Sequence, residues 1–359
     1  MSAITEEAIL DILRQVEYPG YPFDIVDFGV VGEVKIQEKR VTVNLRFNTP
    51  DAEKKTRVKT EAQRVLQEAL PDKRVMVVES LPTVGAPPAA PKPNDPWAGR
   101  APIPGVKGVV AVASGKGGVG KSTVSTNLAV ALAQEGLKIG LLDSDVYGPS
   151  IHIMMGVEER PKVSPEQKLL PIEKFGIKMM SMGFIIERDT PVIWRGPMVQ
   201  KAVDQFLREV AWGELDTLII DLPPGTGDVQ LSLVQKTPLS GAIVVTTPQE
   251  VALVDARRGY QMFRKLNMHV FGIVENMSYY LNPATGEPVY MFGKGGGARA
   301  AETLGTAFLG EIPLDPEVTE CGDTGVPITV KNPDNPVSRA FREIAQQLIA
   351  QGLLERVPR

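Results

Sequence analysis

The sequence predicts an α/β fold, in which a parallel sheet is covered by helices on both faces, preceded by a small α+β domain. After residue 105, short runs rich in Val, Ile and Leu alternate with longer stretches of helical spacing. Before residue 81, period-two and helical patterns are mixed over a much shorter length. Residues 82–104, which contain 8 prolines in 23 residues, separate the two parts.

The first part of the chain has five predicted elements. Period-two alternation of Val41, Val43, Leu45 and Phe47 indicates a strand that is buried on one face. The predicted helices cover residues 5–15 and 56–70, and the predicted strands cover residues 30–37, 40–47 and 74–79. We therefore predict a small α+β domain over residues 1–81.

The proline-rich segment predicts a linker. Proline has no amide hydrogen and restrains the residue before it to extended geometry, so residues 82–104 should be extended and semi-rigid. The second domain is then residues 105–359. Its predicted strands are residues 106–113, 138–142, 215–220, 242–246 and 270–274, with helices over 121–135, 197–210 and 250–265.

Composition excludes several classes of function. The chain has 359 residues with 39 Lys and Arg against 43 Asp and Glu, a net charge of −4, which argues against binding nucleic acid through a basic surface. No apolar run approaches the roughly 20 residues that cross a bilayer, so no membrane association is predicted. Residues 1–10 lack the basic and then apolar layout of a signal peptide, and we expect a cytoplasmic protein.

Residues that bind soft metals are few. Cys321 is the only cysteine, and the two histidines are His152 and His269. One chain can therefore form neither an internal disulfide nor a tetrahedral zinc site from Cys and His. An iron–sulfur site would have to be shared between chains or use unusual ligands.

The strongest chemical signal is G-K-G-G-V-G-K-S at residues 115–122, which fits the phosphate-loop pattern G-x-x-x-x-G-K-[ST] between a strand and a helix. Glycines let backbone amides surround a phosphate, and the helix adds its positive end. Lys121 would neutralise the β- and γ-phosphates, Ser122 would ligate Mg²⁺, and Thr123 would donate to the α-phosphate. The predicted P-loop NTPase site comprises Gly115, Lys116, Gly117, Gly118, Val119, Gly120, Lys121, Ser122 and Thr123.

Carboxylates follow the predicted strands of this domain. Asp143 and Asp145 stand at i and i+2, so both point to one side. Asp221 ends an apolar strand, as expected for the Walker B aspartate that holds Mg²⁺ through water. Asp228 either belongs to a loop that senses the γ-phosphate or caps a helix over residues 229–235. No acceptor site for a kinase is apparent, so the predicted reaction is hydrolysis of ATP by water.

Lys116, directly after the first glycine, resembles the second lysine of the deviant phosphate loop in the MinD/ParA/nitrogenase-reductase group. In that group the lysine reaches across a dimer interface to the partner's nucleotide. The resemblance implies an ATP-dependent homodimer, with Lys116 and Lys121 both acting on phosphates.

Four motifs closely resemble Mrp/ApbC proteins, the iron–sulfur cluster carrier ATPases. They are D-S-D-V-Y-G-P-S at residues 143–150, W-R-G-P-M at 194–198, D-L-P-P-G-T-G-D at 221–228 and V-E-N-M-S at 274–278. The resemblance extends from residue 105 to the C-terminus. Residues 5–80 are similar to the small iron–sulfur assembly domain that is often fused ahead of bacterial members.

This resemblance assigns further roles. It implies that Asp143 lies near the Mg²⁺ shell, that Asp145 orients the attacking water and that Asn276 contacts the adenine. Pro313 and Asp315 would line the same pocket. It also implies a [4Fe–4S] cluster bridging two chains, with iron–sulfur assembly proteins and apoprotein clients as partners.

The sequence departs from the family at the cluster ligands. Many members have C-x-x-C shortly after E-N-M-S, but residues 278–288 contain no cysteine. Where relatives of the small domain often have T-P-G-C, residues 49–52 are T-P-D-A. Cys321, expected in a loop, is the remaining thiolate candidate for a cluster.

Three functions therefore remain open. The first is an ATPase that binds iron–sulfur clusters and transfers them to apoproteins. The second is a nucleotide-gated dimeric scaffold for cluster assembly that holds no metal. The third is a MinD/ParA-like positioning ATPase, although residues 336–354 have the stripe of a core helix rather than of a basic membrane helix.

Overall fold

A computed structural model describes residues 4–20, 24–37, 40–47, 49, 51–79, 101–185 and 196–356. Most of the predicted linker lies outside the described residues, as do Trp194 and Arg195 of the W-R-G-P-M motif. The domain boundaries at residues 81 and 105 therefore stay a prediction.

The N-terminal part forms a three-stranded sheet with two helices. Its elements are α1 (Glu6–Leu13), β1 (Val31–Ile36), β2 (Arg40–Leu45), α2 (Ala52–Ala69) and β3 (Arg74–Glu79). β2 lies in the centre, antiparallel to β1 and parallel to β3. α2 begins four residues earlier than predicted, because the side chain of Asp51 accepts hydrogen bonds from the amides of Glu53 and Lys54, both at 3.0 Å.

The rest of the described chain forms the larger α/β unit. Its strands are β4 (Val106–Ser114), β5 (Ile139–Asp143), β6 (Ile172–Lys174), β7 (Ile177–Ser181), β8 (Leu215–Asp221), β9 (Gly241–Thr246), β10 (Val270–Leu281), β11 (Pro288–Val289) and β12 (Phe308–Leu314). Its helices are α3 (Lys121–Gln134), α4 (Ile151–Met154), α5 (Gly196–Arg208), α6 (Asp228–Lys236), α7 (Glu250–Lys265), α8 (Gly296–Leu304), α9 (Pro316–Thr324), α10 (Ile328–Lys331) and α11 (Pro336–Ala350).

The described strands of this unit form one sheet in the order β11-β10-β9-β4-β8-β5-β7-β6, with β12 also beside β10. β9, β4, β8 and β5 are mutually parallel, and their side chains are almost all buried. This confirms the predicted parallel α/β fold. Antiparallel pairs at the two edges, β6 with β7 and β10 with β11, make the sheet mixed.

The sequence pattern missed the elements at the edges of the sheet. β10 continues to Leu281, seven residues beyond its predicted end, because its second half is only partly buried and lacks a continuous apolar run. β12 was not predicted, since Gly310 and Pro313 interrupt its apolar pattern. Both strands meet beside the phosphate loop, so these missed segments matter for the site.

The C-terminal helix α11 is part of the core. Val337, Phe341, Ile344 and Leu348 are each at most 1% exposed, and the helix packs against β12 and α3. Within the described ranges, no helix combines the length and the apolar composition needed to cross a membrane.

The last described residue connects the two parts of the chain. The Arg356 side chain is 1% exposed and lies over two aromatic rings, Phe28 of the small sheet unit at 4.6 Å and Phe271 of β10 at 5.5 Å. Its guanidinium also donates to the carbonyl oxygen of Asp27. A buried cationic contact thus joins the two parts of the chain, which their separate sequence patterns did not indicate.

Candidate nucleotide site

The phosphate loop connects the end of β4 to the start of α3, as predicted. Gly118 and Gly120 have φ values of +82° and +78°, which residues with a side chain rarely adopt. α3 then begins at Lys121, so the unpaired amides of its first turn lie directly after the loop. This arrangement is suited to binding an anionic phosphate chain.

The loop glycines serve different purposes. A Cβ on Gly115 would lie 2.1 Å from the carbonyl carbon of Asp255 in α7, and one on Gly120 would lie 2.2 Å from Nδ2 of Asn276. By contrast, Gly117 and Gly118 have nothing within 4 Å of an added Cβ. The absence of a side chain at Gly115 and Gly120 lets other elements pack closely against the loop. At Gly117 and Gly118 it leaves the side that faces the phosphates open.

A buried ionic cluster lies behind the loop. The Nζ atom of Lys121 is 2.7 Å from Oδ2 of Asp221, and the Ser122 hydroxyl donates to the same oxygen at 2.6 Å. The Ser125 hydroxyl donates to Oδ1 of Asp221 at 2.6 Å. Asp221 is fully buried, so these donors compensate the loss of its hydration. Sequence analysis missed Ser125, although its position one helical turn after Lys121 places it on the same face.

Asp143 lies beside Asp221, because the two residues pair in register at the ends of β5 and β8. Its carboxylate accepts hydrogen bonds from the Ser181 hydroxyl at 3.0 Å and the Ser150 amide at 3.2 Å. Burial raises its pKa to about 7, and the charge of Asp221 adds to this effect. Asp145 is half-buried, and burial raises its pKa above the ordinary value.

This donor set fits Mg²⁺. The hydroxyl of Ser122 and the carboxylates of Asp143 and Asp221 are hard oxygen ligands, and Mg²⁺ commonly completes its shell with water and phosphate oxygens. Two adjacent buried carboxylates share the charge of one lysine, so a bound cation would favour the ionised form of both. The predicted assignment of these three residues to Mg²⁺ is therefore compatible with the geometry.

A cavity of about 520 Å³ opens in front of the loop and brings most of the predicted residues together. The predicted residues that line it are Lys116, Gly117, Gly118, Gly120, Lys121, Ser122, Thr123, Asp145, Asn276, Pro313 and Asp315. Gly115, Val119, Asp143 and Asp221 are not in the lining. Apolar side chains that sequence analysis did not identify, including Ile153, Met154, Val318 and Phe341, also line the cavity. They provide an apolar surface against which a base can pack.

Two predicted base-pocket residues have structural partners. Asp315 caps α9, accepting from the Glu317 amide at 2.8 Å, and also accepts from Nδ2 of Asn335 at 2.9 Å. Asn276 donates to the carbonyl oxygen of Val119 at 2.9 Å. Both side chains are therefore held in place at the rim of the cavity.

The loop after β8 contacts the last residue of β4, directly before the phosphate loop. The amide of Gly225 donates to the carbonyl oxygen of Ser114 at 3.0 Å, which links the two segments beside the Walker B aspartate. α6 begins at Asp228, one residue before the predicted helix. The Asp228 side chain lies outside the part of the chain that is described, so both predicted roles, sensing the γ-phosphate and capping the helix, stay open.

Cys321 is not where the sequence suggested. It lies within α9 rather than in a loop, and it is 1% exposed among core side chains. Burial raises the pKa of its thiol, which disfavours the thiolate that binds iron. The expected loop position is therefore wrong. The placement does not favour a ligand that bridges two chains, and the cluster role of Cys321 stays a prediction.

The segment that replaces the cysteine pair forms a closed turn between β10 and β11. The Asn282 side chain accepts from the Ala284 amide at 2.9 Å, and the Asn282 amide donates to the Glu287 carbonyl at 3.0 Å. The Thr285 hydroxyl accepts from the Glu287 amide at 3.3 Å. Over the described residues, no group of three or more His, Cys, Asp or Glu side chains is arranged to hold a metal ion.

Each of the two parts of the chain matches a known protein family. The family described as ParA, NUBPL iron-transfer P-loop NTPase, matches residues 105–349, and the family described as iron–sulfur cluster assembly protein matches residues 6–80. An iron–sulfur cluster carrier protein of Synechocystis sp. is 43% identical over 350 residues, covering 96% of this chain and 97% of the relative. One from Aquifex aeolicus is 52% identical over 257 residues, which are 71% of each chain.

Among solved structures, a nucleotide-binding protein of Archaeoglobus fulgidus in complex with ADP is similar. It has 41% sequence identity and a TM-score of 0.56, and the match covers 62% of this chain and 88% of that one. Its nucleotide agrees with the phosphate loop and cavity found here. The chain therefore belongs to the ParA/NUBPL family of iron-transfer P-loop NTPases, and it has an iron–sulfur assembly domain at its N-terminus.

Proposed function

We propose that this protein binds Mg-ATP, hydrolyses it as a homodimer, and uses the cycle to transfer iron–sulfur clusters from assembly proteins to apoprotein clients. The observation that carries the ATPase part is the convergence of the open phosphate loop, Lys121 and Ser122 on one cavity, with Asp221 bonded to both side chains behind it. Carrier proteins that match almost the whole chain support the transfer part.

The chain's own residues suffice to hold and orient the nucleotide. Amides of residues 117–120 and the first turn of α3 bind the phosphates, and Lys121 exchanges Asp221 for the β- and γ-phosphates. Ser122, Asp143 and Asp221 would hold Mg²⁺, which when bound neutralises charge on the phosphate oxygens.

Asp145 orients the attacking water. The oxygen of this water bonds to the γ-phosphorus, and the bond from that phosphorus to the β–γ bridging oxygen breaks. The products are ADP and inorganic phosphate. Asp145 is suited to this task because it lines the cavity beside Lys121 and Ser122 and is not enclosed like Asp143. Its half-buried carboxylate can accept a proton from that water.

Lys116 tests the dimeric part of the proposal. It lines the open side of the loop and is only half-buried, so its side chain can act on the nucleotide of a second chain. We expect Lys116→Ala to keep ATP binding but to lower turnover by about a thousandfold, the range found when a cation is supplied across an interface to phosphoryl transfer. Turnover assays and light scattering with and without Mg-ATP measure both effects.

Lys168→Ala is the matched control, since that lysine is exposed and lies outside the cavity. It should retain wild-type turnover and ATP-driven dimerisation. Unchanged kinetics in Lys116→Ala would show that Lys116 is a surface lysine and would remove the support for a composite site.

A second candidate function is a nucleotide-gated scaffold that brings assembly partners together and holds no metal. The closed turn at Asn282 favours it, because backbone and side-chain hydrogen bonds shape the hairpin where the family resemblance would place a cysteine pair. The burial of Cys321 points in the same direction. Both candidates use the same ATPase site and differ only in whether the protein carries the cluster itself.

Anaerobic reconstitution with iron and sulfide distinguishes the two candidates. A carrier should bind iron in a fixed ratio to the dimer, show cluster absorption and transfer the cluster to an apoprotein faster with Mg-ATP. Cys321→Ser should bind the same amount of iron, because the buried thiol faces the core. A protein without iron that still accelerates transfer from an assembly protein would establish the scaffold, and no effect on transfer would contradict both.

A further inference from the structure

Asn276 contacts the phosphate loop directly. Its Nδ2 donates to the carbonyl oxygen of Val119 at 2.9 Å, and the same atom would lie 2.2 Å from a Cβ on Gly120. The Asn276 side chain is 6% exposed and also lines the nucleotide cavity. One amide thus contacts both the cavity and the two residues that precede Lys121.

The backbone around Asn276 is specialised at this point. Met277 has a φ of +56°, a left-handed conformation that is unfavourable for a residue with a long side chain. The register between β10 and β12 also breaks between Asn276 and Tyr280. A regular strand is therefore interrupted where it meets the phosphate loop, and such local strain is typical of functional positions.

The contact is placed to control the loop. The carbonyl oxygen of Gly120 accepts the first hydrogen bond of α3, from the amide of Val124 at 2.9 Å. Fixing the preceding Val119 peptide therefore fixes how the loop enters the helix that presents Lys121 and Ser122. No other element packs against Gly117 or Gly118 in this way, since nothing lies within 4 Å of a Cβ added to either residue.

We propose that Asn276 is a positioning residue that holds the phosphate loop in its phosphate-binding shape, in addition to lining the pocket for the base. The inference rests on the proposed nucleotide-binding function. The hydrogen bond from Asn276 to Val119 then connects the base end of the pocket to the phosphate end. A substitution of Asn276 should therefore alter the affinity for a phosphate chain that carries no base.

Inorganic tripolyphosphate with Mg²⁺ is the probe, because it has the phosphate chain of ATP and no adenine. In titration calorimetry of the full chain, Asn276→Ala should weaken tripolyphosphate binding by about tenfold, which corresponds to about 1.4 kcal/mol for one lost hydrogen bond. ATP affinity should fall by at least the same factor. Asn276→Asp keeps the size, lacks the donor and adds a negative charge beside the phosphates, so it should weaken tripolyphosphate binding at least as much.

Pro313→Ala is the control, because it should affect the binding of ATP but not of tripolyphosphate. Pro313 lines the same cavity on β12, so its replacement should weaken ATP and leave tripolyphosphate binding at the wild-type level. Hydrogen exchange adds a structural readout. In Asn276→Ala it should increase at the amides of residues 116–122 and stay unchanged in the sheet.

The outcomes separate the inference from the function on which it rests. Wild-type protein that binds neither ATP nor tripolyphosphate would refute the proposed function. Wild-type binding of both ligands, with Asn276→Ala weakening ATP alone, would overturn the inference and leave Asn276 as a base contact. Faster exchange throughout the sheet, or failure of both Asn276 variants to fold, would also overturn it by assigning Asn276 to general stability.

Discussion

Lys121→Ala will abolish ATP turnover and weaken ATP binding by about a hundredfold or more, as expected when one partner of a buried charge contact worth about 3 kcal/mol is removed. Lys121 is 6% exposed and pairs with the fully buried Asp221 at 2.7 Å. A buried ammonium next to the phosphate loop is the group that would compensate the charge of a bound phosphate chain.

The same substitution should also destabilise the protein without nucleotide. It leaves Asp221 and Asp143 side by side and without their cation, and we expect the free energy of unfolding to fall by about 3 kcal/mol. Protonation of Asp143, whose pKa is already raised to about 7, limits the loss. Urea denaturation with and without Mg²⁺ measures this effect.

Lys107→Ala is the matched control for Lys121→Ala. Lys107 forms an ion pair of the same length, 2.7 Å to Asp216, but its side chain is 56% exposed. Its loss should change stability by less than about 1 kcal/mol and leave turnover unaltered. If Lys121→Ala retained ATP hydrolysis, the assignment of the site would be refuted.

Gly115→Ala is expected to produce the largest structural effect in the loop. Its Cβ would lie 2.1 Å from the carbonyl carbon and 2.3 Å from the carbonyl oxygen of Asp255, which are backbone atoms of α7. Neither can rotate away, so α7 or the phosphate loop must move. We expect the free energy of unfolding to fall by about 3 kcal/mol, at the upper end for overpacked sites, and ATP binding to be lost with it.

Gly117→Ala makes the same chemical change two residues later in open space. Nothing lies within 4 Å of its Cβ, and its φ is not in the left-handed region, so the stability of the nucleotide-free protein should change by less than about 1 kcal/mol. Thermal unfolding of the two variants provides the comparison. Equal destabilisation would show that the packing of α7 on Gly115 does not control the loop.

Much of the site was predictable because it is local in sequence. The phosphate loop is contiguous, and its glycines, Lys121 and Ser122 are recognisable from spacing alone. Asp143 and Asp221 were found as carboxylates at the ends of predicted strands, with the role of Asp143 implied by the family resemblance, and the register shows that the two residues are adjacent. The buried strands β4, β5, β8 and β9 were likewise visible as apolar runs.

Tertiary structure alone decided the rest, because the decisive contacts join residues distant in the chain. The sequence pattern explained Gly115 as one of the glycines that let backbone amides surround a phosphate. In the fold, glycine is needed there because the backbone of Asp255 approaches it closely. The hydrogen bond from Asn276 to Val119 spans 157 residues, and no local pattern encodes it. The expected loop cysteine became a buried helix residue once α9 packed on the core, since burial depends on what covers a residue.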